Sequence, residues 1–148
     1  MVSRKGGKLT YSMFTKLEVP IDRVWSHISD REKLLEWDSM LMELDGEIKK
    51  GSQIKLRSKL SPNQQFKLKV SEFRPPNLMV WKSGFWPMFK GVRTYQLQEE
   101  SDGTLLALNE SFSGILLPLI KKKLPDCETI FGTYIRDLKR ILEVYQKK

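Results

Sequence analysis

The chain has 148 residues, of which 40% are hydrophobic and 30% charged, and this suits one globular domain over residues 1–148. One cysteine (Cys127) and one histidine (His27) exclude an intramolecular disulfide and the usual Cys/His zinc sites. The net charge of +8 indicates either an anionic partner or a surplus of solvated surface charge. No apolar segment near the N-terminus is typical of a secretory signal, and the longest apolar run, residues 115–120, is too short to span a membrane. We therefore expect a soluble, cytoplasmic protein.

The first two-thirds of the chain is predicted to be mostly β-structure. Apolar residues alternate over residues 8–19, which predicts a half-buried first strand. Pro20 ends it, and two short helices are predicted at 21–28 and 30–37, the second capped by Asp30. Six further strands, separated by turns rich in Gly, Pro, Asn and Asp, are predicted at residues 41–44, 53–60, 65–73, 78–83, 89–98 and 104–113.

The last predicted element is a helix over residues 126–145, about 30 Å long. Its apolar residues recur at spacings of three and four and share one face. They are Cys127, Ile130, Phe131, Tyr134, Ile135, Leu138, Ile141, Leu142 and Tyr145. A long helix with one apolar face needs a large surface to pack on, so we expect it to lie on the sheet, in an α+β fold. A curved sheet that packs against such a helix commonly leaves an apolar cavity between the two.

Several segments are similar in order and spacing to one known superfamily. Residues 19–25 read VPIDRVW, residues 89–93 read FKGVR and residues 110–114 read ESFSG. Together they resemble the START-like helix-grip superfamily (SRPBCC), which includes polyketide cyclase/dehydrase-like proteins and lipid-transfer domains. The resemblance implies a curved antiparallel sheet of about seven strands, with two short helices after strand 1 and a long C-terminal helix packed over the concave face.

The resemblance also implies a cavity in which the protein binds, and in some members of the superfamily transports, a hydrophobic or amphipathic small molecule or a lipid. Two positions depart from the closest subfamily, in which a histidine usually stands where this chain has Arg93 and an asparagine where it has Ile135. A ligand or activity shared with that subfamily therefore does not follow from the resemblance.

Arg93 and Glu110 form the sharpest polar pair in the sequence. The Asp102–Gly103 dipeptide is a strong hairpin signal, and with that turn residues whose numbers sum to about 205 lie opposite each other. Arg93 and Glu110 then face the apolar side, where two charges are costly unless they pair. The pair either orients the polar head of a ligand, for which a guanidinium suits a carboxylate or phosphate, or is an internal salt bridge. Arg93 should lower the pKa of Glu110 and make it a poor general acid.

The other predicted ligand-binding residues face the predicted interior and are aromatic or methionine. Ordinary core packing is the alternative for each of them. They are Tyr11, Met13, Trp37, Met79, Trp81, Tyr95, Phe112, Phe131 and Tyr134. We identify no catalytic residue, metal site or cofactor motif, which favours a binding protein over an enzyme. The alternative, a cyclase/dehydrase-type enzyme, would have to use Arg93, Glu110 and the tyrosines.

Two basic segments are candidate contact surfaces. Five cations alternate along two strands and are predicted to share the outer face of the sheet: Lys55, Arg57, Lys59, Lys67 and Lys69. This face is either simply solvated or docks a partner, as in a protein-interaction module similar to chaperone-ATPase activators. Nucleic acid is not expected, because the face shows no aromatic residues among its cations.

The second basic segment follows the apolar run at residues 115–120 and consists of Lys121, Lys122 and Lys123. An apolar run next to lysines is typical of a peripheral contact with an anionic membrane. The alternative is a short helix that buries the end of the core.

Overall fold

One antiparallel sheet and four helices make up the part of the chain that the computed structural model describes, which is residues 2–5, 7–85, 87–120, 122, 124 and 126–146. The strands are β1 (Val2–Lys5), β2 (Lys8–Leu17), β3 (Leu41–Asp45), β4 (Gln53–Ser58), β5 (Phe66–Arg74), β6 (Leu78–Phe85), β7 (Phe89–Glu100) and β8 (Gly103–Ser113). The helices are α1 (Ile21–Ser29), α2 (Arg31–Trp37), the one-turn α3 (Leu117–Ile120) and α4 (Cys127–Gln146).

The strands follow the order β1-β2-β8-β7-β6-β5-β4-β3 in the sheet. Neighbours are joined by short turns except at β2 and β8, which pair although they are far apart in the chain. The predicted α+β helix-grip fold is confirmed, with all seven predicted strands present. The eighth strand, β1, was not predicted because Val2 is its only apolar residue and no alternation marks it.

Local sequence explains where the helices begin. Pro20 has φ −61° and directly precedes α1, which buries one face of its two turns. The predicted N-cap at Asp30 is confirmed, since its carboxylate accepts hydrogen bonds from the backbone N–H groups of Glu32 and Lys33. At the start of α4, the Asp126 carboxylate accepts the backbone N–H of Thr129 at 3.2 Å.

Helix α4 packs on the concave face of the sheet, as two contacts between side chains show. The Tyr134 ring centroid lies 6.1 Å from that of Tyr95, and the Phe131 ring lies under the Arg93 guanidinium at 5.4 Å. Most of the predicted apolar face is buried, namely Cys127, Phe131, Tyr134, Ile135, Leu138 and Leu142. Ile130 and Ile141 are half-buried, and the side chain of Tyr145 lies outside the described residues.

Candidate functional site

A row of four side chains crosses the concave face of the sheet on β2, β8, β7 and β6. Tyr11 pairs with Glu110, Glu110 with Arg93, and Arg93 with Trp81. The β7–β8 turn pairs Glu100 with Gly103, which shifts the register by two residues from the predicted one. Because side chains alternate with a period of two, this shift keeps the predicted face and brings Arg93 directly opposite Glu110.

A cavity of about 440 Å³ lies between this face of the sheet and helices α2 and α4. One side, which we call the polar wall, consists of Asp38, Trp81, Arg93, Tyr95, Glu110 and Tyr134. The other side, which we call the aliphatic wall, consists of Leu34, Leu41, Leu44, Leu56, Phe66 and Leu68. Leu60 also lines the cavity and is 44% exposed, so the cavity opens to solvent at the turn between β4 and β5.

The structure brings together six of the eleven predicted ligand-binding residues at the cavity: Trp81, Arg93, Tyr95, Glu110, Phe112 and Tyr134. The other five, which do not line it, are Tyr11, Met13, Trp37, Met79 and Phe131. Met79 is completely buried, and Trp37 packs edge-on against Tyr134 at 4.9 Å while its Nε1 donates to the backbone oxygen of His27 at 2.9 Å. A direct ligand contact for any of the eleven stays a prediction.

Arg93 and Glu110 form a loose, two-point ion pair. Arg93 Nε lies 3.4 Å from Glu110 Oε2, and Arg93 Nη2 lies 3.5 Å from Glu110 Oε1. The side chains are 20% and 10% exposed. The predicted lowering of the Glu110 pKa is wrong, because burial raises this pKa by more than the Arg93 charge lowers it. Burial acts against the charge of Arg93 too, but Glu110 and Tyr95 together raise the Arg93 pKa.

Asp38 is a polar-wall residue that sequence reasoning missed. Burial raises the pKa of its carboxyl to about 6, and although a hydrogen bond from the Met40 backbone N–H at 3.1 Å opposes this shift, Asp137 on α4 adds to it. An aspartate directly after a short helix is typical of a solvated turn. The only available signal was its position between Trp37 and β3, where the chain must cross the end of the cavity.

Two buried polar groups on residues of the polar wall have no hydrogen-bond partner among the described residues. They are the indole Nε1 of Trp81 and the hydroxyl of Tyr134, on side chains of residues that are 5% and 7% exposed. The Tyr95 ring lies between them, 5.1 Å from the Trp81 ring and 6.1 Å from the Tyr134 ring. Native proteins pair nearly all buried polar groups, but these two atoms are enclosed by the wall itself and are not exposed in the cavity.

The predicted basic outer face is present in part. Lys55 pairs with Lys67, Lys69 pairs with Lys82, and these four side chains are exposed. Arg57 is neutralised by Glu43, whose Oε2 lies 3.2 Å from the arginine Nε, and Lys59 lies beyond the end of β4. A partner for this face stays a prediction.

The apolar run before the second basic segment is split between core and surface. Leu117 is buried, whereas Ile115 and Leu119 are 65% and 78% exposed. Lys122 is exposed, and Lys121 and Lys123 lie outside the described residues.

The described ranges contain no candidate for either of two special kinds of site. No group of three or more His, Cys, Asp and Glu side chains there is placed to hold a metal ion. None of the helices in those ranges combines the length and the apolar character needed to cross a membrane.

The fold and cavity together define a helix-grip domain with a chamber between sheet and helix. Residues 8–140 match the family described as polyketide cyclase / dehydrase and lipid transport. The chain belongs to this family. No curated protein sequence matches it.

Solved structures of the same fold are similar over almost the whole chain. MLL2253 from Mesorhizobium loti has a TM-score of 0.73 and 16% identity over 90% of this chain and 96% of its own. SA2116 from Staphylococcus aureus, a protein of unknown function, has a TM-score of 0.71 and 11% identity over 95% and 97%. DynU16, from the dynemicin biosynthetic locus, has a TM-score of 0.66 and 16% identity over 90% of this chain and 47% of its own. At these identities the likeness shows the fold alone.

Proposed function

We propose that this protein binds a hydrophobic or amphipathic small molecule or lipid, and transports it, in the cavity between the sheet and α4. The cavity itself carries the proposal, because about 440 Å³ is within the usual range for ligand sites and far above the small voids of a packed core. The family description, which includes lipid transport, supports the same function.

The two walls support one orientation of the ligand. Its apolar part would lie on the aliphatic wall, where leucines of α2 and of β3–β5 offer apolar contact area. Its polar end would lie on the polar wall, near Arg93 and Glu110. Binding in this way would replace the missing contacts of the cavity walls with ligand contacts.

Native mass spectrometry on protein purified without detergent tests the proposal, followed by solvent extraction of the adduct and titration with an apolar fluorescent probe. We expect a discrete bound mass or uptake of the probe. Leu56→Trp should abolish uptake by filling the cavity, while Val80→Trp, on the opposite face of the sheet, should leave it unchanged. A wild-type protein with neither adduct nor probe uptake would overturn the proposal.

A cyclase/dehydrase-type enzyme that uses the same cavity is the second candidate, and Asp38 is the observation that favours it. A carboxyl with a pKa of about 6 can accept a proton near neutral pH, and it lines the same cavity as Tyr134. An enzyme should lose turnover of the extracted ligand but keep binding it in both Asp38→Asn and Glu110→Gln. A pure carrier should return the extracted ligand unchanged from the wild-type protein.

Peripheral contact with an anionic membrane is a separate proposal, which four exposed apolar side chains support. Phe85, Met88, Ile115 and Leu119 form what we call the apolar tip, with exposures of 74%, 36%, 65% and 78%. Two backbone hydrogen bonds hold its two segments together, from Ile115 N–H to Pro87 O at 3.0 Å and from Leu116 N–H to Met88 O at 2.9 Å. The neighbouring residues Phe89 and Ile120 line the cavity, so a tip in contact with lipid would place the cavity beside the bilayer.

Sedimentation with phosphatidylserine vesicles tests the membrane contact. Phe85→Ser should weaken binding roughly tenfold, because one large apolar side chain is worth about 1.5–3 kcal/mol on burial. Phe14→Ser is the matched control, since Phe14 is also 74% exposed but lies on β2, outside the tip. Equal vesicle binding by both variants and the wild type would contradict this contact.

A further inference from the structure

The charged residues that line the cavity are mostly acidic, although the protein as a whole has a net charge of +8. Among the described residues the lining holds one guanidinium, Arg93, against two carboxyl groups, Asp38 and Glu110. Arg93 and Glu110 lie within 3.5 Å of each other, so their charges match. The carboxylate of Asp38 is then in excess, and the cavity is negative when both acids are ionised.

Asp38 has no cationic partner of its own in the described part of the chain. No lysine or arginine nitrogen there lies within salt-bridge distance of its carboxylate, which accepts the Met40 backbone N–H at 3.1 Å. Burial is the main cause of its raised pKa, and Asp137 on α4 raises this pKa by more than Arg93 lowers it. A half-buried carboxylate with this surrounding charge would be stabilised by a cation that enters the cavity.

Aromatic side chains of the polar wall lie close to the same carboxylate. Burial is the main cause of the raised pKa of Tyr95 and of Tyr134, and the charge of Asp38 adds to it in both. The Tyr95 ring is 5.1 Å from the Trp81 ring and 6.1 Å from the Tyr134 ring. Aromatic rings attract an ammonium group that lies within about 6 Å of the ring centre. A carboxylate beside aromatic rings therefore suits an organic ammonium group.

We infer that the ligand is a cationic amphiphile, an ammonium group on an apolar body, and that Asp38 binds the ammonium while the aliphatic wall binds the body. The inference rests on the proposed function and deepens it. It replaces the carboxylate or phosphate head that Arg93 suggested from the sequence, because Glu110 already matches the Arg93 charge. Asp38 is a binding group in this arrangement, whereas the enzyme candidate needs it as a proton acceptor.

Three naphthalenes of nearly equal size test the inference on the full chain: naphthylmethylamine, which is an ammonium at neutral pH, naphthylmethanol, which is neutral, and naphthoate, which is an anion. Calorimetric titration at about pH 7.5 should show the amine binding roughly tenfold more tightly than the alcohol, because a hydrogen bond to a charged group is the stronger kind. Naphthoate should bind most weakly, since it would lie beside a carboxylate that has no cation of its own.

Asp38→Asn should remove most of the advantage of the amine and leave binding of the alcohol unchanged. Asp22→Asn is the matched control, because it makes the same change of charge at an exposed residue of α1 that does not line this cavity. Loss of amine binding in Asp38→Asn also separates this role from that of a catalytic base, whose removal should spare binding.

The same titration at about pH 5 gives a second measurement. Asp38 has a pKa of about 6, so at this pH it is mostly protonated while an alkylammonium keeps its charge. The affinity for the amine should therefore fall roughly tenfold from about pH 7.5 to about pH 5, and that for the alcohol should not change. Asp38→Asn should lose most of this dependence, which separates Asp38 from the other titratable groups in or next to the polar wall. These are Arg93 and Tyr95 on β7, Glu110 on β8, and Tyr134 and Asp137 on α4.

The outcomes distinguish the inference from the proposed function. If none of the three compounds binds, the proposed function fails and the inference fails with it. If the alcohol or naphthoate binds as tightly as the amine, the cavity binds ligands but the inference is overturned. An advantage of the amine that survives in Asp38→Asn overturns it as well. The comparison of the three compounds on the wild-type chain decides the matter even where a variant does not fold.

Discussion

The two walls of the cavity come from different parts of the sheet and use different chemistry. The polar wall lies mainly on β6, β7 and β8, which have paired strands on both sides, and Trp81, Tyr95 and Glu110 there are buried. The aliphatic wall lies on β3, β4 and β5, toward the edge of the sheet, and Leu41, Leu56 and Leu68 there are only half-buried. Directional groups thus lie on inner strands, where pairing on both sides fixes their positions. We expect the half-buried wall nearer the sheet edge to adapt more readily to ligand shape.

The largest change in stability is expected at the ion pair of the polar wall. Arg93→Met leaves the Glu110 carboxylate buried without its partner, and we expect the free energy of unfolding to fall by about 3 kcal/mol in urea denaturation. This is the lower end of the range for a buried pair, because the Arg93 side chain is 20% exposed.

The double variant Arg93→Met/Glu110→Leu is the control for that loss. It removes both charges and should recover most of the stability. A double variant as unstable as the single one would show that packing of Arg93 over Phe131, and not the charge, stabilises this wall.

A smaller change in stability is expected at Asp38, and its size depends on pH. Its folded-state pKa of about 6 exceeds the ordinary value of 3.8, so the folded protein binds the proton more tightly than the unfolded chain. Stability therefore falls as pH rises from about 4 to 6, and Asp38→Asn removes this contribution. Between pH 4 and pH 7, we expect the unfolding free energy of the variant to rise by about 2 kcal/mol relative to that of the wild type. A constant difference over this range would mean that Asp38 titrates normally.

The aliphatic wall should tolerate truncation better than a filled region of the core. Leu56→Ala should cost about 1 kcal/mol of unfolding free energy, because the side chain already borders empty space. Leu108, which is 1% exposed and does not line the cavity, gives the comparison, with an expected loss of about 3 kcal/mol for Leu108→Ala. Equal losses at the two leucines would argue against an adaptable wall.

The smallest expected change in stability is a gain and not a loss. Tyr134→Phe removes a buried hydroxyl that has no hydrogen-bond partner in the described part of the chain, so the ligand-free protein should gain up to about 1 kcal/mol of unfolding free energy in thermal or urea unfolding. Tyr95→Phe removes a hydroxyl that interacts with Arg93 and should lower stability by a similar amount. A clear loss in Tyr134→Phe would indicate that an ordered water already satisfies this hydroxyl.

The sequence predicted which face of the sheet a residue lies on and which strands are neighbours, but not how deeply a residue is buried. Alternation placed Arg93, Tyr95 and Glu110 on one face, and the hairpin signal brought the first and last of these together despite the shifted register. The same alternation could not distinguish Tyr95 at the cavity from Met79, its neighbour on β6, which packs in the core. That distinction depends on how far α2 and α4 stand from each strand.

The aliphatic wall was missed for a related reason. Its residues are leucines and one phenylalanine, and each reads as an ordinary core residue in the sequence. The polar wall was found because charges and tyrosines are unusual on an apolar face. Asp38 escaped because its burial comes from the assembly of the whole cavity and not from its own segment.

Three hydrogen bonds join the second half of α4 to α1 and to the turn before β3. Asp137 accepts the Ser39 backbone N–H at 2.9 Å and the Ser39 hydroxyl at 2.5 Å, and Arg23 Nη2 donates to the Leu142 backbone oxygen at 3.2 Å. A tilt of about 10° about this anchored half would move Cys127, ten residues and about 15 Å away, by about 3 Å. Tyr134 and Phe131 lie on the part of α4 that such a tilt would move. We therefore expect the width of the chamber to change by rotation of α4, a motion that breaks no strand pairing of the sheet.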